Sequence, residues 1–277
     1  MKSVFVTGAS TGIGHACAID LDRRGLRVYA GVRKEADGES LRKESARIEP
    51  VILDITDQAT IDAAAKQIDE LYGLVNNAGI TVPGPLEYLP VDELRRQFEV
   101  NLFGQIAVTQ ALLPLIRKAR GRIVFVSSVG GRTPPPPFMG PYQASKHALE
   151  TFADALRVEL GPSGIDVVLI QPGSIATPMW EKGLSEGDRL AAALPAEAVE
   201  RYGEAVGKVR TLAASLGKRG IPPEKVAEKV ALALTARRPR IRYLVGTDAR
   251  AQAALFAVMS DRMRDRLYGR LSGLRKR

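Results

Sequence analysis

The stretch Ser3-Val-Phe-Val-Thr-Gly-Ala-Ser-Thr-Gly-Ile-Gly14 decides the reading of the whole chain. Its first half is a β-branched and aromatic run without polar alternation, the pattern of a strand covered on both faces. Its second half is a glycine-rich loop that opens a helical pattern near Ile13–Arg24. A strand passing through such a loop into a helix offers backbone amides and the positive end of the helix dipole to a pyrophosphate. Gly8, Ser10, Thr11, Gly12, Ile13 and Gly14 are therefore candidate nucleotide contacts. A glycine turn that binds nothing is the bland alternative, and the loop's place between strand and helix favours the nucleotide.

Outward from that loop the pattern repeats. Arg27–Gly31, Pro50–Leu53, Gly73–Asn76, Arg122–Ser127, Asp166–Gln171 and Ile241–Val245 read as further buried strands. Helical periodicity lies between them near Gln58–Leu71, Val91–Ala119, Tyr142–Leu160 and Pro223–Ala236. Regular alternation of this kind predicts an α/β fold: one doubly wound parallel sheet of about seven strands with helices on both faces. We read residues 1–247 as one domain and 248–277 as a basic helical tail. Residues 178–220 interrupt the alternation; an insertion after a strand's carboxyl end lies over the ligand crevice, so this segment reads as a helical lid.

Composition narrows the function. The chain has 277 residues, 45% hydrophobic and 26% charged, which excludes a disordered chain. One cysteine excludes an internal disulfide framework, and with only two histidines no metal site is expected. His15 and His147 read as partly exposed helix residues and Cys17 as a small buried filler. No apolar run approaches a membrane span and no secretory leader precedes the glycine loop, so a cytoplasmic protein is expected. The net charge is +9, yet residues 237–277 hold twelve Lys and Arg against three Asp and Glu, and the remainder is balanced. That distribution argues against a basic groove and for one basic terminal segment, with no nucleic acid as partner.

The second strand bears on the nucleotide. NAD-binding sheets of this kind end it in an acidic residue on the ribose hydroxyls. Here the run is Val28-Tyr-Ala-Gly-Val-Arg-Lys34, without a carboxylate. Arg33 can hold a 2′-phosphate bidentately, so NADP(H) is expected ahead of NAD(H), with solvated surface charges as the alternative. Asp54 and Ile55 follow the third strand, where the aspartate can accept from an adenine amino group.

Tyr142-Gln-Ala-Ser-Lys146 opens a helix and sets a phenol and an ammonium one turn apart on one face. A nearby cation favours the phenolate, which suits a general acid or base for alcohol–ketone interconversion. Asn76-Asn-Ala-Gly79 and Ser127-Ser128 stand upstream, each ending a strand. With Thr7-Gly8-x-x-x-Gly12-x-Gly14, Asn101 and Pro172-Gly173-x-Ile175-x-Thr177, in this order, the chain resembles the short-chain dehydrogenase/reductase family from Lys2 to about Val245. The resemblance implies a single-domain Rossmann fold and an oxidoreductase acting on CH–OH groups. It implies Tyr142 as proton donor, Lys146 as the cation that lowers its pKa and binds the nicotinamide ribose, and Ser128 as the group orienting the substrate oxygen. Asn101 would hold a water leading from Lys146 towards solvent. Pro172, Gly173, Ile175 and Thr177 would set the nicotinamide, and Asn77, Ala78 and Gly79 the adenosine end. The one departure is the four-proline run Pro134–Pro137 between Ser128 and Tyr142, expected to bulge into the loop.

Phe138, Met139, Met179 and Trp180, with Ser128 and Tyr142, are candidate substrate contacts. Their apolar character points to a bulky lipophilic substrate: a steroid, a retinoid or a long-chain aldehyde. Val28–Arg33 together with Ser128-Val-Gly-Gly131 most resembles the 17β-hydroxysteroid and retinol dehydrogenase branch. The resemblance also implies a homodimer or homotetramer through Val91–Ala119 and Tyr142–Leu160. In the tail, Asp248 is positioned to cap a helix with an apolar stripe from Ala251 to Leu267 flanked by arginines. Peripheral contact with an anionic membrane and packing onto the domain are the two readings of it, the second slightly favoured. The alternative to an enzyme is a catalytically silent cofactor-sensing regulator, against which the intact Asn101, Ser128, Tyr142 and Lys146 speak.

Overall fold

A computed structural model describes residues 1–274. Strands β1 (Ser3–Thr7), β2 (Arg27–Val32) and β3 (Ile48–Ile52) alternate with helices α1 (Gly12–Arg23), α2 (Glu35–Glu44) and α3 (Gln58–Lys66). Strand β4 (Gly73–Asn76) leads to α4 (Val91–Phe98) and α5 (Gly104–Ala119), then β5 (Arg122–Val126), α6 (Gly140–Leu160) and β6 (Asp166–Pro172). Helices α7 (Met179–Ala192), α8 (Ala196–Arg219) and α9 (Glu224–Thr235) precede β7 (Arg242–Val245), and α10 (Thr247–Val258) and α11 (Asp261–Ser272) follow it. The strands form one sheet in the order β3-β2-β1-β4-β5-β6-β7, every neighbouring pair parallel.

The alternation of side chains along each strand builds two cores. Val4 and Val6 face a layer formed with α1 and α9, while Phe5 between them faces the layer under α3, α5 and α6. On β5, Val124 and Val126 take the first side and Ile123 and Phe125 the second. Both faces are dry, so the strands are apolar throughout rather than alternating. Strand order reverses between β1 and β4, and the glycine loop and Asn76–Gly79 lie side by side at that switch point.

Three features differ from the sequence expectation. Helix α2 falls in a hydrophilic stretch where only Gly38 and Leu41 are buried, too thin an apolar face for periodicity to reveal. The helix Val91–Ala119 is broken by a π turn at Glu99–Phe103. That helix is also long and apolar enough, by length and composition alone, to cross a membrane, contrary to the reading of the bare sequence. It is internal, and it carries Gln97, Asn101, Gln105 and Thr109 buried within the domain.

The tail is two helices rather than one; they turn at Met259–Ser260 and pack on the domain. Phe256 is buried and stacked on Tyr268, whose hydroxyl donates to Pro134 O at 2.9 Å, and Ser272 is buried. Asp248 does not cap α10; it sits in the first turn and its Oδ2 accepts from Ser174 N at 2.7 Å. The last three residues of the expected tail, 275–277, lie outside the described residues.

Candidate active site

The glycines answer a steric demand. Gly8 and Gly12 adopt φ of +65° and +59°, and a Cβ on Gly14 would lie 2.2 Å from Gly8 O. Only hydrogen fits where helix and loop cross so closely. Thr11 precedes α1 in extended conformation and makes no side-chain cap, which leaves the first amides of the helix for a ligand. Asn77 holds the two loops together: its Nδ2 donates to Thr7 O at 3.0 Å and Gly8 O at 3.2 Å, while Thr7 Oγ1 accepts from the amides of Asn77 and Ala78.

A cavity of about 500 Å³ opens beside this loop. Ile13, Asn77 and Gly79 line one end; Ser128, Tyr142, Lys146, Pro172, Gly173, Ile175 and Thr177 line its floor. All four expected apolar contacts, Phe138, Met139, Met179 and Trp180, face it. Arg33, Asp54, Ile55, Gly8, Ser10, Thr11, Gly12, Gly14 and Ala78 are not part of its wall. Arg33 is exposed, yet close enough to draw Asp54 to lower pKa. Burial pushes the Asp54 carboxyl up, but the amide and hydroxyl of Thr56, both on Oδ1 at 3.0 and 2.7 Å, together with Arg33 bring it below the usual carboxylate range. Asp54 thus keeps one oxygen for an outside donor.

At the floor, Ser128 ends the extended segment after β5 and its Oγ accepts from Gly130 N at 3.1 Å, starting a 3₁₀ turn. The chain then runs through the proline segment to Phe138, which has φ of +69°. Such a backbone is costly for a bulky residue. It is held by Gly84 N donating to Phe138 O at 2.9 Å and by an edge-to-face contact with Tyr202 of α8.

The Tyr142–Lys146 pair departs from expectation. Burial raises the Tyr142 phenol above its ordinary pKa, and the opposing influence is a hydrogen bond with Ser128, not the cation. Lys146 Nζ donates to Val126 O at 2.9 Å and lies 5.9 Å from the centre of the Tyr142 ring. Burial pulls its ammonium down to about 8 against the field of Glu150. Asn101 lies in the π turn with every polar atom engaged: Oδ1 accepts from Ile80 N at 2.8 Å, and Nδ2 donates to Ile80 O at 3.0 Å and Ser145 Oγ at 3.2 Å. Both amide hydrogens of the side chain are thus committed, while Oδ1 keeps a second lone pair.

Sequence reasoning missed a second polar layer. Glu150, Gln171 and Arg242 sit behind Lys146, joined by hydrogen bonds between α6, β6 and β7. The only sequence signal is that Glu150 falls one turn after Lys146, on the face that must be buried.

Comparison with known proteins gives a consistent result. The family model described as short chain dehydrogenase matches residues 2–187. An NADPH-dependent 3-dehydrocapnine reductase of Ornithobacterium rhinotracheale is 36% identical, over 97% of this chain and 96% of its own length. Retinol dehydrogenase 16 of Mus musculus is 41% identical, over 90% of this chain and 82% of its own length. Among solved structures, a short-chain dehydrogenase from Streptomyces avermitilis superposes with a TM-score of 0.78 at 31% identity, covering 100% of this chain and 98% of that one.

Proposed function

Because the chain belongs to the short-chain dehydrogenase family, we propose that it interconverts a carbonyl and an alcohol on a bulky lipophilic substrate with NADP(H) as cofactor. The observation that carries this reading is the single cavity in which Ser128, Tyr142 and Lys146 meet an apolar wall. The glycine cradle and the uncapped start of α1 fit a dinucleotide, which supplies the hydride when bound. Residues at the glycine loop, Asn77–Gly79 and Pro172–Thr177 would hold it.

Tyr142 donates the proton to the substrate oxygen in reduction and takes it back in oxidation. Its raised pKa keeps the phenol protonated at neutral pH, ready to donate. Ser128, near enough to the phenol to draw its pKa down, orients that oxygen. Lys146, 5.9 Å from the ring centre, would bind the nicotinamide ribose, and with the cofactor in place its ammonium would stabilise the phenolate left after transfer. With its side chain committed, Asn101 acts by fixing the π turn against Ile80, and proton exchange with solvent falls to the backbone of that turn. Helices α7 and α8 close over the cavity as a lid.

The lipophilic class is supported by the apolar wall and by relatives whose names state retinol and 17-beta-hydroxysteroid dehydrogenases. NADP(H) is supported by Arg33, exposed beside Asp54 where no acidic residue ends β2, and by the name of the NADPH-dependent relative. The test is NADPH oxidation against ketosteroids, retinal, long-chain aldehydes and small polar ketones. Turnover is expected with the lipophilic members and is expected to fall at least about 100-fold in Tyr142→Phe while NADPH binding persists. An unchanged rate would remove Tyr142 from the mechanism. Arg33→Ala is expected to weaken NADPH about tenfold or more and NADH little, read by fluorescence titration; equal losses would refute the phosphate contact.

A further inference from the structure

We infer that Glu150 is a positioning residue for the reaction: a carboxylate buried behind Lys146 that holds the lysine ammonium in its charged form, itself fixed by Gln171 and by Arg242 from the last strand. The inference rests on Lys146 being the cation of the proposed mechanism.

Glu150 lies one helical turn beyond Lys146 on α6 and is 6% exposed. Both of its oxygens accept from Gln171 Nε2 at 2.9 Å, and Oε2 also accepts from Arg242 Nε at 3.0 Å. Arg242 is fixed in turn, with Nη2 donating to Asp154 Oδ2 at 2.6 Å. Donors on both oxygens and a guanidinium are the environment of an anion.

The carboxylate is also fixed in place relative to the reacting groups. A Cβ on Gly131, in the turn that Ser128 opens, would lie 2.9 Å from Glu150 Cγ and from Ser127 Oγ, and 3.1 Å from Lys146 O. Gln171 directly precedes Pro172 on β6, so the residue that holds Glu150 also borders the expected nicotinamide segment. Around Lys146, α6 itself contributes Tyr142 and Glu150, the end of β5 and its turn contribute Ser127 and Ser128, the π turn Asn101, β6 Gln171, and β7 Arg242 through Glu150. Among these only Tyr142, Glu150 and Arg242 can change or carry charge. Burial works against the ammonium and Glu150 works for it.

The test is the pH dependence of kcat/KM for carbonyl reduction in Glu150→Gln, which keeps the size and removes the charge. A cation that loses its anion gives up its proton at lower pH. The alkaline limb is therefore expected to move down by about one pH unit, with a loss of about fivefold at pH 8 that approaches tenfold above about pH 9 and shrinks towards pH 6. Glu150→Asp is expected to return the limb towards the parent position. A loss of equal size at every pH, or an unmoved limb, would overturn the inference. Should Glu150→Gln fail to fold, ¹³C NMR of side-chain carboxyls in the parent protein decides: Glu150 ionised throughout pH 6–9 supports it, and a protonated or titrating Glu150 overturns it. Tyr142→Phe measured alongside separates the levels. Undiminished turnover there removes the proposed mechanism, whereas an inactive Tyr142→Phe with an unmoved Glu150→Gln limb removes only the role of Glu150.

Discussion

At the scale of single residues, the site trades stability for chemistry. Lys146 is 4% exposed and its ammonium titrates at about 8 rather than 10.5. At about 1.4 kcal/mol per tenfold change in proton affinity, keeping it charged costs the folded state about 3 kcal/mol. The sign follows from proton counting. Between pH 8 and 10.5 the unfolded chain holds the proton more tightly, so the cofactor-free protein gains stability as pH rises through that window. Below pH 8 both states are protonated and the penalty stands in full. Lys146→Met should therefore raise the unfolding free energy at pH 7 by up to about 3 kcal/mol, seen as a higher denaturation midpoint, with the gain fading above pH 8. A midpoint that falls at pH 7 would mean the bond to Val126 O outweighs the buried charge. The placement of Tyr142 and Lys146 on one buried helix face could be read from their four-residue spacing. That of Glu150 could not, since a carboxylate on a helix reads as solvated until a strand 92 residues away supplies its guanidinium.

Among the elements, the buried strands were plain in the sequence: β1 and β4 have the expected bounds and the other five agree to within about two residues. Apolar runs between glycines have few other structures open to them. Helix α2 escaped notice because its buried face is two residues wide. The division of the tail at Met259–Ser260 escaped because the apolar stripe continues across it, although Ser260-Asp261 is a helix-start signal. Helices α7 and α8 are pinned at their roots, where Trp180 Nε1 donates to Ile175 O at 2.8 Å, Trp180 packs on Gly217, and Ile175 pairs with Ile221. Their far side is held by Tyr202, which meets Phe138 and Tyr88 edge to face and donates to Glu87 Oε2 at 2.7 Å, and by ion pairs of Arg201 with Glu87, Glu186 with Arg96 and Arg189 with Glu93. Tyr202 is the part of this contact that reaches the cavity wall at Phe138. Tyr202→Ala should raise KM for a lipophilic substrate about fivefold or more while kcat changes less. Steady-state kinetics checks this, and an unaltered KM would mean that Tyr202 does not govern entry.

Over the whole molecule, charge is segregated as the sequence indicated, with a balanced domain and a basic terminal segment. What the bare sequence did not convey is that this segment belongs to the site. Gln252, Tyr268 and Leu271 line the cavity, and Tyr268 reaches back to the proline segment. A contact across 134 positions leaves no periodicity to read. The nearest clue, the proline run that lengthens the loop after Ser128, gave a bulge without a destination. Arg242 belongs to the same late portion of the chain. A polypeptide is made from its amino end, and domains acquire structure as they emerge. The glycine cradle and the switch point are complete once β4 has been synthesised. The guanidinium that steadies Glu150 and the wall opposite the lid arrive only with the last seventh of the chain. A nascent chain therefore carries the glycine loop and Asn77–Gly79 long before Lys146 meets the residues that set its electrostatic environment.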